Sequence, residues 1–344
     1  MGYTDAQINA AMGWDATGRN LRKIKRFAKL DGTGLVRVEP GQIPLDKLEP
    51  QFRAMMEDSA DGFIAFYNYF NDKEMPAHCE EWVRAAFDEP LLLLNVPPRH
   101  NKSTVFSIWY PVWRIVRDRN TQVLIVSQTD TLSTRWVGYI ASILASSDIP
   151  RVFGRFKPEK GDSEIPWRPS KGELMVLGRE GSRAMQFSVL SRGSGSQILG
   201  FEADLIVADD VTTKKIAISP IQRESQILWF QEEVLSRGNP DARVIVIGQR
   251  VHLHDLYAYL RDLVWDHGPK KDEPLWYHVN YPAVAKWPVE EDGSDAEVLW
   301  PEVWPYERLM SRYALVGGKA TFYTLYQQDP LAADATLVRE EWLE

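Results

Sequence analysis

The sequence predicts an α/β fold, a mostly parallel sheet flanked by helices, on three observations. Short runs rich in leucine or β-branched residues recur at 91–96, 122–127, 185–190, 205–208 and 244–247. Stretches of helical length and period separate several of them. Turn residues or carboxylates stand directly behind the runs, at Pro97-Pro98, Asp209-Asp210 and Gly248. Strands alternating with helices in this way lie parallel, with both faces of the sheet covered. Ligands of such sheets sit at the carboxyl ends of the strands, so the residues behind each run are where chemistry is expected.

The 344 residues, 44% hydrophobic and 26% charged, are enough for a large α/β domain with an appendage. No apolar stretch approaches the roughly 18 residues of a membrane span, and the N-terminus MGYTDAQINA lacks the basic-then-apolar order of a signal peptide. A soluble, unsecreted chain with no membrane partner is expected. One cysteine, Cys79, excludes an internal disulfide and a cysteine-based metal cluster, so metal ligands would be oxygen or histidine. A net charge of −8 excludes a protein that coats nucleic acid over its whole surface and leaves room for a local basic patch.

Along the chain, residues 5–13 and 17–29 have helical patterns. In the second, Leu21, Ile24, Phe27 and Ala28 share one face while Arg19, Arg22, Lys23, Lys25, Arg26 and Lys29 cover the others. That cationic surface suits a solvated face or contact with DNA or a partner. Further helices are expected at 45–70 and 75–87, ahead of the run at 91–96, and at 105–116, 129–146 and 220–235 between the later runs. The domain division that follows is a helical N-terminal arm (1–50), a core (51–254), a small lid subdomain (255–330) with helices at 255–265 and 305–316, and the start of a linker (331–344).

Leu91–Thr104, LLLLNVPPRHNKST, reads as a buried strand, a proline-marked turn and Lys-Ser at the mouth of a helix. This is the layout of a phosphate-binding loop: backbone N–H groups and the positive helix end face phosphate, Lys102 reaches the β/γ oxygens, and the Ser103 hydroxyl ligates Mg²⁺. The pattern GxxxxGK[ST] would place glycines at Val96 and Asn101. Asn101 tolerates positive φ and can make the turn, whereas Val96 has no such explanation. An ordinary exposed βα loop fits the same letters. The run LIVADD ends in two carboxylates: Asp209 could hold Mg²⁺ through water and Asp210 could activate the attacking water. A plain Asp-Asp helix cap is the alternative, weakened by the pairing with the Lys-Ser loop. In VIVIGQRVHLHDL, Gln249 could sense the γ-phosphate or its water, and Arg250 could relay that to the lid. His252, His254 and Asp255 resemble part of a metal hydrolase site without its remaining ligands. The segment LSRGSGSQILG could approach phosphate or DNA or simply connect, with Arg192 a candidate arginine acting in trans.

Taken in order, PPRHNKST, VSQTDTLSTRW, GSGSQILGFEADLIVADDVTTKK, SRGNPDARVIVIGQRVHLHDL and TLYQQDP resemble the ATPase domain of the large terminase subunit of tailed double-stranded DNA bacteriophages, over about residues 75–344. The resemblance implies a P-loop NTPase core of the RecA-like (ASCE) type, with ATP and Mg²⁺ as cofactors. It implies nucleotide contacts from Pro98, Arg99, His100, Asn101, Lys102, Ser103, Thr104 and Arg250, metal ligation by Ser103 and Asp209, and catalytic roles for Asp210, Arg99 and Gln249. Members of the family commonly carry Gly where Asn101 stands and Ser or Thr where Gln249 stands. The implied activity is ATP-driven packaging of double-stranded DNA into a procapsid in the host cytoplasm. The implied partners are a portal protein, a small terminase subunit and further copies of the chain in a ring on the capsid. Large terminases also carry a nuclease, which would begin beyond YQQDP, so no DNA cleavage is expected from these residues. The rivals are a helicase-like ATPase, which would need a second ATPase lobe, and a non-hydrolysing nucleotide-dependent scaffold for DNA or protein.

Overall fold

The structure, a computed structural model, describes residues 45–330 apart from 160, 161, 163, 164, 291 and 292. The helices expected at 5–13 and 17–29 and the linker expected at 331–344 lie outside the described residues. Strands β1 (Leu91–Asn95), β2 (Val123–Ser127), β3 (Trp167–Arg168), β4 (Glu173–Leu174), β5 (Val189–Gly193), β6 (Ala203–Asp209), β7 (Gly238–Gly248) and β8 (Tyr277–Asn280) form one sheet, in the order β3-β4-β5-β2-β6-β7-β1-β8. Every pairing from β5 across to β8 is parallel, and β3 and β4 add an antiparallel edge. The expected fold class is the one the chain forms. Its central strands are buried on both faces: all of β2 is buried, and all of β1 and β6 but one half-buried residue each. That is why they read as unbroken apolar runs.

Two strand readings are corrected. The run expected at 185–190 is displaced toward Gly193, because Gly181–Met185 is a 3-10 turn that leaves Met185 87% exposed. The edge strand β8, YHVN, was not expected, since its half-exposed polar letters carry no strand period.

Upstream of β1 lie α1 (Pro50–Met55), α2 (Ala60–Phe70) and α3 (Ala77–Asp88). The single helix expected over 45–70 is broken before Ala60, where the Ser59 hydroxyl accepts a bond from the Gly62 N–H and starts α2 afresh. The crossover after β1 begins as a π-helical turn, Thr104–Trp109, and continues as α4 (Tyr110–Arg117). Pro111 supplies the reason: it has no N–H for the Ser107 carbonyl, and the Tyr110 N–H bonds Val105 O, five residues back. Helices α5 (Asp130–Ser146), α6 (Ile149–Phe153), α7 (Lys214–Ile218), α8 (Pro220–Trp229) and α9 (Leu256–Arg261) follow, with α5, α7, α8 and α9 capped by Thr129, Thr213, Ser219 and Asp255.

A second, smaller core gathers Ala283, Val284, Trp304, Leu309, Phe322 and Tyr326. It is built on the antiparallel pair β9 (Val284–Lys286) and β10 (Glu297–Val298) with helices α10 (Tyr306–Leu315) and α11 (Lys319–Leu325). The lid boundary expected at 255 is therefore corrected. Leu256, Tyr257, Leu260 and Trp276 are buried in the core of the sheet, β8 is one of its strands, and the packing changes only near Ala283. No helix among the described residues is long and apolar enough to cross a membrane.

Candidate active site

Strand β7 lies between β1 and β6, with Asn95 opposite Gly248 and Asp209 opposite Ile247. The chain therefore leaves adjacent strands at one level, through Val96, Asp210 and Gln249. Leu92, Leu93 and Leu94 in β1 and Leu205, Ile206, Val207 and Ala208 in β6 are fully buried, so a slipped register would misplace the whole set. Below the ends of these strands, His278 Nε2 donates to Asn95 Oδ1 (2.9 Å) and Asn95 Nδ2 donates to Gly248 O (3.3 Å).

The loop after β1 takes its shape without glycine. Val96 is buried and its N–H donates to Gly248 O at 3.0 Å, prolonging the ladder by one residue, so nothing there calls for a glycine. Asn101 has the positive φ expected of it, 71°, and Arg99 also has one, 63°. For a long side chain that conformation costs on the order of 1 kcal/mol, and the neighbours hold it. The Trp304 indole N–H donates to Arg99 O at 3.3 Å, His100 Nδ1–H donates to Pro98 O at 2.9 Å, His78 Nε2–H donates to His100 O at 3.3 Å, and Asn101 Nδ2 donates to Tyr67 OH at 3.2 Å. The His100 ring is buried against His78, Trp300 and Trp304, and burial brings its pKa down to about 4, leaving it neutral. His100 was expected among the nucleotide contacts; with its ring committed to this packing, only its backbone is left to face phosphate. Ser103 and Thr104, both half-buried, open the helix behind the loop.

Lys102, 7% exposed at its side chain, places Nζ 3.1 Å from Asp210 Oδ2. Burial alone would lower the lysine's pKa, but the charges of Asp210 and Asp209 outweigh it and the net shift is upward. Asp210 turns off β6 at φ 48°, its N–H on Ile247 O and its Oδ1 accepting the Gln249 N–H at 3.2 Å. Asp209, 1% exposed, accepts from the Ser107 hydroxyl at Oδ2 (2.7 Å) and from the Ser127 hydroxyl at its backbone carbonyl (2.8 Å). Burial first, and the Asp210 charge second, raise its pKa to about 6 against the opposing pull of Lys102, Ser103 and Ser107. Its other oxygen, Oδ1, is buried with no hydrogen-bond partner. A buried acidic oxygen left bare beside the hydroxyls of Ser103 and Ser107 is a donor set suited to Mg²⁺, which takes hard oxygen ligands and keeps several waters. The buried Oε1 of Gln249 is likewise without a partner.

Of the residues singled out by sequence, the loop from Pro98 to Thr104, the Asp209-Asp210 pair and Gln249 are brought together. Arg250 is not available. Its guanidinium is 8% exposed and bonded through Nε to both oxygens of the fully buried Asp255 (3.1 Å each) and through Nη2 to the carbonyls of His252 and Leu253. It is corrected from a nucleotide contact to a brace of the turn behind Gln249. The same carboxylate accepts the Val251, His252 and Ala258 N–H groups, which leaves Asp255 no room as a metal ligand, and no metal-binding cluster of His, Cys, Asp and Glu occurs among the described residues. The exposed Arg99 side chain has no partner among the described residues, and Arg192 is half-buried with its guanidinium on Ser191 O. Sequence reasoning missed Ser107, signalled by Pro111 four residues on. It also missed Trp304 and Gln328, whose Oε1 accepts the Arg250 N–H at 2.7 Å and which carried no local signal beyond the letters QQDP.

No family model matches the chain. The large terminase subunit of Enterobacteria phage T3 is 27% identical over 244 residues, which are 66% of this chain and 39% of that protein. The chain thus spans well under half the length of this relative. Among solved structures, the ATPase domain of the Thermus phage P74-26 large terminase matches with a TM-score of 0.48 at 14% identity, covering 77% of this chain and 97% of that one. The HK97 bacteriophage large terminase matches with a TM-score of 0.46 at 14% identity, covering 78% and 55%. The sequence match repeats the resemblance carried by the order of the motifs: over the matched residues the chain is similar to a phage large terminase subunit.

Proposed function

We propose that this chain is an Mg²⁺-dependent ATPase whose turnover drives double-stranded viral DNA into a procapsid. The observation that carries the ATPase reading is the convergence of Lys102 Nζ on Asp210 at 3.1 Å beside the buried, half-unpartnered Asp209. Two groups 108 positions apart in the chain meet beyond the ends of β1 and β6, on either side of β7, beside a loop whose backbone is held ready for phosphate.

In the mechanism we infer, the triphosphate takes the place of Asp210 as the partner of Lys102, whose ammonium neutralises the β/γ oxygens. Asp210, released from the lysine, accepts a hydrogen bond from the attacking water and lines it up with the γ-phosphorus. The water oxygen bonds to phosphorus as the bond to the bridging oxygen breaks, ADP leaves, and the water's proton passes through Asp210 toward the phosphate. Gln249, its N–H on Asp210 and its Oε1 bare, is suited to hold the same water. Asp209, Ser103 and Ser107 would hold Mg²⁺, which when bound would supply positive charge against the triphosphate. Portal protein, small terminase subunit and a ring of further copies are the partners this reading entails.

Steady-state phosphate release at saturating ATP tests it. The native chain is expected to release phosphate only with Mg²⁺, and Lys102→Ala and Asp210→Asn are each expected to lose at least about 100-fold. A native chain that turns over no ATP with or without DNA sinks the proposal and leaves a nucleotide-dependent scaffold.

A further inference from the structure

We propose that Trp304 is a positioning residue for the phosphate loop, so that the second core, through Trp304 and Gln328, holds both sides of the nucleotide site. The inference rests on the ATPase reading above. Trp304 belongs to the second core and is 6% exposed. Its N–H donates to Arg99 O, and its ring stacks on His100 with centroids 5.9 Å apart and planes inclined by 17°.

The carbonyl of Arg99 and the N–H of His100 belong to one planar trans peptide, so they point in opposite directions. Drawing the carbonyl toward Trp304 therefore turns the His100 N–H away from the second core, and that N–H has no acceptor among the described residues. An arginine at φ 63° has little intrinsic reason to keep this orientation, and the indole bond supplies one. On the other side of the site, Gln328, also of positive φ, receives the N–H of Arg250 next to Gln249. One packed unit thus grips the backbone at the phosphate end and at the water end.

The test is Trp304→Phe in the full chain, which keeps a ring against His100 and removes only the N–H. The expected result is a KM for ATP raised about tenfold with kcat within about twofold, the loss of one bond that orients a phosphate-binding amide. Backbone hydrogen exchange is expected to accelerate over residues 99–105, where the Val105 N–H is bonded to Asn101 O, while 284–286 and 319–325 keep their protection. Unchanged KM and exchange overturn the proposal. Faster exchange throughout the second core also overturns it, since Trp304 would then be packing alone. Absence of phosphate release from the native chain instead strikes the ATPase reading, and is seen before any variant is made.

Discussion

At the scale of single residues, the site holds an acid that its surroundings disfavour as an anion. Asp209 carries a native pKa near 6 against an ordinary 3.8 because burial and Asp210 together outweigh Lys102 and the two serines. The folded state therefore holds this proton more tightly than the unfolded one. Between about pH 4 and 6 the unfolded chain has lost it and the native chain has not, so the Asp209 contribution to stability falls as pH rises and is fully lost above about 6. His100 and His278, both brought down to about 4 by burial, act in the opposite sense over a similar range. The two signs are separated by difference: Asp209→Asn, measured without Mg²⁺, should melt higher than the native chain at pH 8 by the equivalent of about 1–3 kcal/mol. The gap should close as pH falls from 6 to about 4. A gap that is constant with pH would mean that Asp209 is not held protonated in this way. Saturating Mg²⁺ should narrow the gap at pH 8, because only the native carboxylate has the ligand position to lose.

At the scale of elements, the same contacts decide what could be read from sequence and what could not. The buried strands were legible because burial on both faces leaves continuous apolar runs, and Asn101 was legible because few other residues turn so readily at positive φ. Arg99 was not, since its conformation is imposed by an indole 205 positions away. Arg250 was misread because nothing in VIVIGQRVHLHDL marks Asp255, weighed there only as a metal ligand, as the buried partner of the arginine and the cap of α9. The π-helical turn carries its own consequence. Pro111→Ala restores an N–H for Ser107 O, and the turn should relax toward α-helix, drawing the Ser107 hydroxyl off Asp209. Thermal stability should rise by up to a few degrees while phosphate release falls about tenfold. A variant unchanged in release would show that Ser107 does not serve the site. Gly248 allows less latitude: a Cβ there would overlap the hydroxyl end of Tyr257, which is fully buried beneath the end of β7. Gly248→Ala should cost about 1–3 kcal/mol by overpacking and push Gln249 out of line with Asp210, read as a lowered melting point together with a lowered kcat.

At the scale of the whole molecule, the question is whether the two cores respond to nucleotide as one body. A ligand that binds only the native state stabilises it by RT ln(1 + [L]/Kd), about 2.7 kcal/mol at a hundredfold excess over Kd, which for a chain of this size is roughly 5 °C. If Trp304 and Gln328 tie the second core to the loop and to the turn behind Gln249, that gain must reach residues that touch no phosphate. Trp287, Trp300 and Trp304 belong to the second core or pack on it, and Trp82, Trp109 and Trp113 lie among the helices that cover the sheet. Since the chain has 13 tryptophans, fluorescence would mix the two cores. Backbone hydrogen exchange followed against temperature supplies separate reporters, at 284–286 and 319–325 for the second core and at 91–95 and 205–209 for the sheet. With a non-hydrolysable ATP analogue and Mg²⁺, both reporters should shift upward together, and neither should shift in Lys102→Ala. A shift confined to the reporters around the sheet, with the second core melting where it did before, would mean that the two bonds seen in the structure transmit nothing and that the site is set by the sheet alone.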